Sequence, residues 1–290
     1  MYQEFVEQLL KKLNKCISGK KESVFWISVD LRMIYRIVKS LDGGVEQFIA
    51  NFFRDLLDDL QSTTLLVSAF NWDFARKGIF DIKNSPSHSG AIGDILLKKY
   101  ANKRTFDPLF SFIVFGKYEQ ELKLKKFNQS TGDESIFQWL INHHTHLITI
   151  GHSYVKSFAI LHHTERTVGV PYRYQKKFSG KVINFTKEHA FNYTHYVRDL
   201  EICDVSGITK SGDLHLRESG IVKSHMLGNT DFKCLVHQVD LENAHFKMHE
   251  SLKNGEFPSL VDYFGKHKKN NEVMTPYADQ LFTSEFQSIR

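Results

Sequence analysis

The stretch TTLLVSAF, Thr63 to Phe70, narrows the fold more than any other. Its apolar residues do not alternate with polar ones, so a strand here needs cover on both faces, as in sheets sandwiched by helices. The preceding segment, GGVEQFIANFFRDLLDDL, sets Val45, Phe48, Ile49, Phe52, Phe53 and Leu56 on one wide face at helical period. VFWISVD (Val24 to Asp30), LFSFIVFG (Leu109 to Gly116) and HLITIGHS (His146 to Ser153) are further strand-like runs. The pattern predicts an α/β fold with a central mixed, largely parallel sheet flanked by helices.

After Gly180, shorter alternating runs and glycine turns around KVINFT predict a smaller β-containing C-terminal lobe, followed by helices. The expected organisation is one unit over 1–290, with a core over 1–180 and the lobe over 181–290. In MYQEFVEQLLKKLNK, Phe5, Val6, Leu9, Leu10 and Leu13 share a helical face opposite charged residues, which predicts an amphipathic helix and not a targeting segment. SGKKES reads as a turn, GKHKKNNE (Gly265 to Glu272) as an exposed loop, and the last fifteen residues as loosely held.

A net charge of +5 spread along 290 residues suits small phosphate-bearing ligands and argues against a nucleic-acid partner, which wants a concentrated basic stripe. Cys16, Cys203 and Cys234 are odd in number and lack a CxxC spacing, so a reducing cytoplasm is expected and a structural metal is not. No apolar run reaches membrane-spanning length.

In SFAILHHTERTVGVPYRY, Ser157 suits a helix N-cap, Gly169 a C′ position, and Pro171 stops continuation. His162 and Glu165, three apart, share a face, so the carboxylate could orient the imidazole as a general base; His163 points elsewhere. On spacing alone a solvated or satisfied helix surface outweighs catalysis. IGHSYV resembles a nucleophile elbow centred on Ser153, but Val155 replaces its second glycine. The histidines of NHHTHL fit a polar helix end better than a zinc site. In RTFDPLFSF, Asp107 could bind a substrate amine or sugar hydroxyl, or could cap its own turn, with nothing to separate the two. NWD, from Asn71, closes the strand at Thr63 to Phe70 on the side where open α/β sheets bind ligands. In SPSHSGAIGDILLKKY, serines and a glycine precede a helix whose free N–H groups could face an anion.

Taken in order, ISVDL, VSAFNWDF, NSPSHSGAIGDIL, RTFDPLFSFIVFG, GDESIF, LHHTE and GVPYRY resemble the aminoglycoside 3-N-acetyltransferase-like family of acyl-CoA-dependent N-acyltransferases, over roughly residues 20–185. The resemblance implies acetyl-CoA or another short acyl-CoA as cosubstrate and no metal. It implies His162 as general base with Glu165 beside it, and Asp107 at the sugar. Ser28, Asp30, Ser85, Ser87, Ser89 and Gly90 would lie along the CoA arm, and Asn71, Tyr172 and Arg173 at the acceptor.

Two departures, Asp107 where many members carry histidine and Ile27 at the head of ISVDL, lean toward surface-polysaccharide sugar acyltransferases. The expected acceptor is therefore an amino sugar, nucleotide-linked, with an aminoglycoside as the alternative and an esterase at Ser153 as the alternative of another class. A non-catalytic module that keeps the fold is a third. No cysteine falls in a matched block, which favours direct attack on the thioester. A homodimer is among the expected assemblies.

Overall fold

The computed structural model describes residues 1–17, 23–60, 63–255, 259–269 and 272–274; all but Ser23 of the expected turn at 18–23, part of the loop at 265–272 and the last fifteen residues lie outside the described residues. In chain order the first half runs α1 (Tyr2–Ile17), β1 (Ser23–Val29), α2 (Tyr35–Lys39), α3 (Gly44–Asp59), β2 (Thr63–Ser68), α4 (Asp73–Lys77), β3 (Ile79–Asp81), α5 (Ala91–Tyr100), β4 (Phe112–Gly116), α6 (Glu119–Leu124), α7 (Ile136–Asn142) and β5 (His146–Ile150). The second half runs α8 (Ile160–Val168), β6 (Arg173–Asn184), β7 (Lys187–Arg198), β8 (Val205–Thr209), α9 (Lys210–Glu218), β9 (Val222–Gly228), β10 (Lys233–Asp240), α10 (Leu241–Asn254), β11 (Val261–Phe264) and β12 (Val273–Met274).

The central sheet has the order β4-β2-β1-β5-β10-β9. Alternate residues of its strands feed two apolar layers. Trp26, Leu66, Phe112 and Leu147 face one layer with α7 and α8; Phe25, Leu65, Ile113 and Ile148 face the other with α1, α3 and α5. This double cover is what the unalternating β2 run requires, and burying a ring such as Phe52 contributes roughly 1.5–3 kcal/mol.

The sheet is mixed as expected, but only its centre is parallel. β1 pairs parallel with β2 and β5, whereas β4, β10 and β9 join antiparallel. β9 and β10 come from the expected C-terminal lobe, yet they form a hairpin on the β5 edge, so the last third shares the central sheet. A hairpin's alternation records that one face is buried without recording which sheet edge it meets. β6 and β7 make a long ribbon, with β3 parallel to β6 near its turn. Gly180 lets that edge close: a Cβ there would lie 2.1 Å from the Gly78 carbonyl oxygen.

Candidate active site

α8 begins just after the 3₁₀ turn Tyr154–Ser157 and ends at Gly169, whose φ of +77° is the left-handed conformation expected of a C′ glycine. Four residues later the chain enters β6. This short path folds Tyr172 and Arg173 back onto the helix. Glu165, wholly buried, accepts from Tyr172 Oη at Oε1 (3.1 Å), and its Oε2 lies 3.0 Å from His162 Nδ1 and 2.7 Å from Arg173 Nε. The Arg173 contact is an ion pair whose N–H lies off the hydrogen-bond direction. Arg173 Nη2 also lies 3.0 Å from His162 Nδ1 and donates to Ser206 Oγ of β8 at 2.9 Å.

One nitrogen cannot serve both neighbours. Arg173 only donates and would need the Nδ1 lone pair, whereas an ionised carboxylate only accepts and needs Nδ1–H. Burial pushes the Glu165 pKa up, but the His162 hydrogen bond and the Arg173 charge outweigh it and hold the carboxyl below its usual value. An ionised Glu165 therefore selects Nδ1–H and leaves the lone pair on Nε2, which makes no hydrogen bond among the described residues. Burial, then the Arg173 charge, lower the His162 pKa, and Glu165 only partly offsets them. The imidazole is neutral near pH 7, with its side chain 32% exposed.

Tyr172 and Arg173, expected at the acceptor, are thus turned inward: Tyr172 is 4% exposed and the Arg173 side chain 5%, and both hold Glu165. Asn71 is likewise wholly buried, donating to the Pro86 carbonyl and accepting from Asp73 N. Asp107 is wholly buried too. Its Oδ1 accepts from Leu109 N, Phe110 N and Tyr193 Oη, so the turn-capping reading describes its place, and no exposed atom remains for a sugar. Burial raises its pKa to about 6.

The expected CoA-arm residues divide. Ser85 Oγ accepts from Asp81 N at the end of β3, Ser89 Oγ accepts from Phe70 N just past β2, and Ser87 Oγ lies against Ser89 Oγ, so these hydroxyls are taken up in holding the loop to the ends of β2 and β3. Asp30 is paired with Arg32. Gly90, at φ +106° before α5, has open space about it, and Ser28 is half-buried at the end of β1. Open space thus remains at Gly90, whereas the Ser28 hydroxyl contacts His152 Nε2 and Ser157 Oγ. Ser153 is no strained elbow: its φ of −60° and ψ of 137° are ordinary, and its hydroxyl caps the 3₁₀ turn through Val155 N.

Two residues of the neighbourhood escape sequence reading. His195 of β7 is close enough to His162 and Arg173 that their charges, after burial, lower its pKa to about 3. Strand alternation alone does not distinguish it from any inward residue. Arg104, 2% exposed, donates to the Ala69 and Ser85 carbonyls and to Ser111 Oγ, tying the serine loop to β2 and β4. The NHHTHL histidines diverge as a helix end should: His143 stacks on Trp139 at 3.8 Å, His144 pairs with Glu242, and His146 opens β5. Among the described residues no helix is long and apolar enough to cross a membrane.

The sequence model for aminoglycoside 3-N-acetyltransferases matches residues 47–248. Among curated proteins, none matches the chain in sequence. Similar solved structures include AAC-VIa bound to sisomicin (15% identity, TM-score 0.62, covering 87% of this chain and 98% of that one). YokD from Bacillus subtilis is similar at 16% identity and TM-score 0.60, covering 87% and 99%. AAC-IIIb, solved in a binary complex with CoASH, is similar at 14% identity and TM-score 0.59, covering 90% and 98%. These likenesses carry the fold.

Proposed function

The chain belongs to the aminoglycoside 3-N-acetyltransferase family and is an N-acyltransferase; from that premise we propose that it moves an acetyl or short acyl group from acyl-CoA to an amine of an aminoglycoside-type amino sugar. The observation that carries this reading is His162, one-third exposed, with Nδ1 held on a buried, ionised Glu165 and Nε2 without a described partner. Such a base near neutral pH can take a proton from an attacking amine. The amine nitrogen bonds to the thioester carbonyl carbon, the C–S bond breaks, His162 Nε2 takes the ammonium proton, and the thiolate leaves and is protonated as CoA. Glu165 keeps the ring in the right tautomer and balances its transient charge; Tyr172 and Arg173 act as positioning residues for Glu165.

Of the expected CoA-arm residues, Gly90 has open space beside it and Ser28 is half-buried at a strand end. A cytoplasmic setting, where acyl-CoA is available, fits the reading, as does action of residues 1–290 as one unit. The nucleotide-linked deoxyamino sugar expected from the motif style finds no support in the comparisons, which favour the aminoglycoside alternative. The test is CoA release from acetyl-CoA with a panel of aminoglycosides and nucleotide-amino sugars. Amine-dependent release with aminoglycosides is expected, and His162→Ala should lower kcat by about 10²–10⁴-fold. Turnover confined to nucleotide-linked sugars would overturn the acceptor, and near wild-type turnover in the variant would overturn the base.

A further inference from the structure

The sheet order places β2 on one side of β1 and β5 on the other, so the chain reverses direction across the sheet between β1 and β5. The crevice beyond the carboxyl ends of two such strands is where open α/β sheets receive ligands. Ser28 and His152 stand at these two ends, with Ser28 in register with Thr149 of β5. Ser28 Oγ lies 3.0 Å from His152 Nε2 and 2.8 Å from Ser157 Oγ. His152 Nδ1 lies 2.9 Å from the Ser153 carbonyl oxygen, which can only accept. That bond puts the ring proton on Nδ1 and leaves the Nε2 lone pair facing the Ser28 hydroxyl. Burial lowers the His152 pKa, so the imidazole is neutral and able to accept a proton near pH 7. Ser28, His152 and Ser157 are all half-buried, within reach of a bound molecule. The backbone N–H groups of His152 and Ser153 donate to no described group.

A hydroxyl against a base nitrogen, with the base oriented by a third group, is the arrangement of an activated nucleophile. We infer that Ser28 is a second acyl acceptor, with His152 as its base, giving the protein an amine-independent thioesterase and esterase activity. Ser28 Oγ attacks the acyl carbonyl as His152 Nε2 takes its proton. The O–C bond forms, the C–S bond of the thioester breaks, and the thiol leaves carrying that proton. Water, deprotonated by the same nitrogen, then attacks the acyl-serine; its O–C bond breaks, releasing the carboxylic acid and restoring Ser28. For acyl-CoA the inference rests on the acyl-CoA reading of the site; for a simple ester it does not. Ser157 Oγ, in contact with Ser28, is a positioning group for the hydroxyl.

The test compares the wild-type full chain with Ser28→Ala, Ser28→Cys and His152→Gln, without any amine. Thiol release from acetyl-CoA and p-nitrophenol release from p-nitrophenyl acetate are measured, with thermal unfolding as the fold control. Wild type should release both products faster than buffer. Ser28→Ala should lose at least about a hundredfold of each and His152→Gln about 10²–10⁴-fold, while Ser28→Cys restores a nucleophile and retains ester cleavage. Peptide mapping after acetyl-CoA should place any acetyl adduct on Ser28. Ser28-dependent ester cleavage without acetyl-CoA turnover would keep the Ser28–His152 pair and overturn the thioesterase half of the inference, while amine-dependent CoA release tests the acyl-CoA reading separately. Release no faster than buffer in wild type, or unchanged in Ser28→Ala, would overturn the inference; unchanged release in His152→Gln would overturn the base.

Discussion

Replacing Glu165 by glutamine changes one oxygen to an amide nitrogen at the point where His162, Tyr172 and Arg173 converge. The Arg173 side chain is only 5% exposed and its Nε lies 2.7 Å from the carboxylate, so the substitution leaves a buried guanidinium without its counter-charge. Breaking a buried pair from one side costs about 3–5 kcal/mol. For a chain near this size each kcal/mol lowers Tm by about 2–4 °C, so the melting point should fall by about 6–20 °C. Catalysis suffers separately. A glutamine NH₂ facing Nδ1 would donate to it and move the imidazole proton to Nε2, removing the lone pair that serves the amine, at a loss of about a hundredfold or more.

The kinetics distinguish this from simple loosening. Glu165 is the partner that raises the His162 pKa against burial and Arg173, so its removal should shift the acid limb of the kcat/KM profile to lower pH. The assays are differential scanning calorimetry and CoA release with a fixed acceptor across pH. A variant melting within roughly 2 °C of wild type, with turnover within about threefold and an unmoved acid limb, would refute the reasoning.

Acid should destabilise the fold from about pH 6.5 downward. Burial lowers the pKa of His163 and His195 to about 3 and those of His237 and His245 to about 4, so the unfolded state binds more protons, and the stability these groups contribute above the unfolded value is lost as pH falls through the folded ones. Asp107, raised to about 6, acts in the opposite sense, since its contribution is lost as pH rises toward that value. Four histidines against one carboxyl predict a lower urea midpoint at about pH 5 than at about pH 7.5, and a flat profile would contradict this. Asp107→Ala should strand the Leu109 and Phe110 N–H groups and Tyr193 Oη at about 1–3 kcal/mol each, lowering Tm while leaving the acceptor KM unchanged below the transition. Gly180→Ala should force β3 away from β6, read as a lower Tm and faster amide exchange at Lys181 and Phe80, because the new Cβ would meet the Gly78 carbonyl oxygen at 2.1 Å.

The sandwiched sheet and the His162–Glu165 contact were both legible in sequence, for the same reason: each depends on local periodicity. β2 lacks alternation because both its faces are buried, and i,i+3 spacing on one helix brings the two side chains together whatever lies around them. What periodicity does not carry is direction. An X-Pro turn has the same spelling whether its aspartate turns outward to a ligand or inward to the turn's own N–H groups, and Asp107 turns inward. The serines before α5 look equally available in sequence, yet the end of β2 takes up the Ser89 hydroxyl. His163, set aside as a neighbour of His162, proves to be buried, with Gly132 N donating to its Nδ1 at 3.2 Å. His195 reaches the site on the β7 arm of the β6–β7 hairpin and Ser206 on β8, which pairs with the distant β11, and a single sequence does not say which face of either strand meets Glu165.

From His162 to Arg173 the groups around Glu165 belong to one continuous stretch of chain, held in phase by the Gly169 turn and Pro171. A strand presents alternate residues to opposite sides, so the phase with which the chain enters β6 decides which side chain meets the carboxylate. At present Arg173 points in while Tyr174, next along, is 49% exposed. One residue added between Pro171 and Tyr172, with α8 fixed and β6 slipping by one residue against β7, would put tyrosine where the guanidinium now lies. The enzyme's chemistry thus hangs on a count, odd or even, in a short connecting segment, and single-residue insertions or deletions there should silence it while leaving the fold standing.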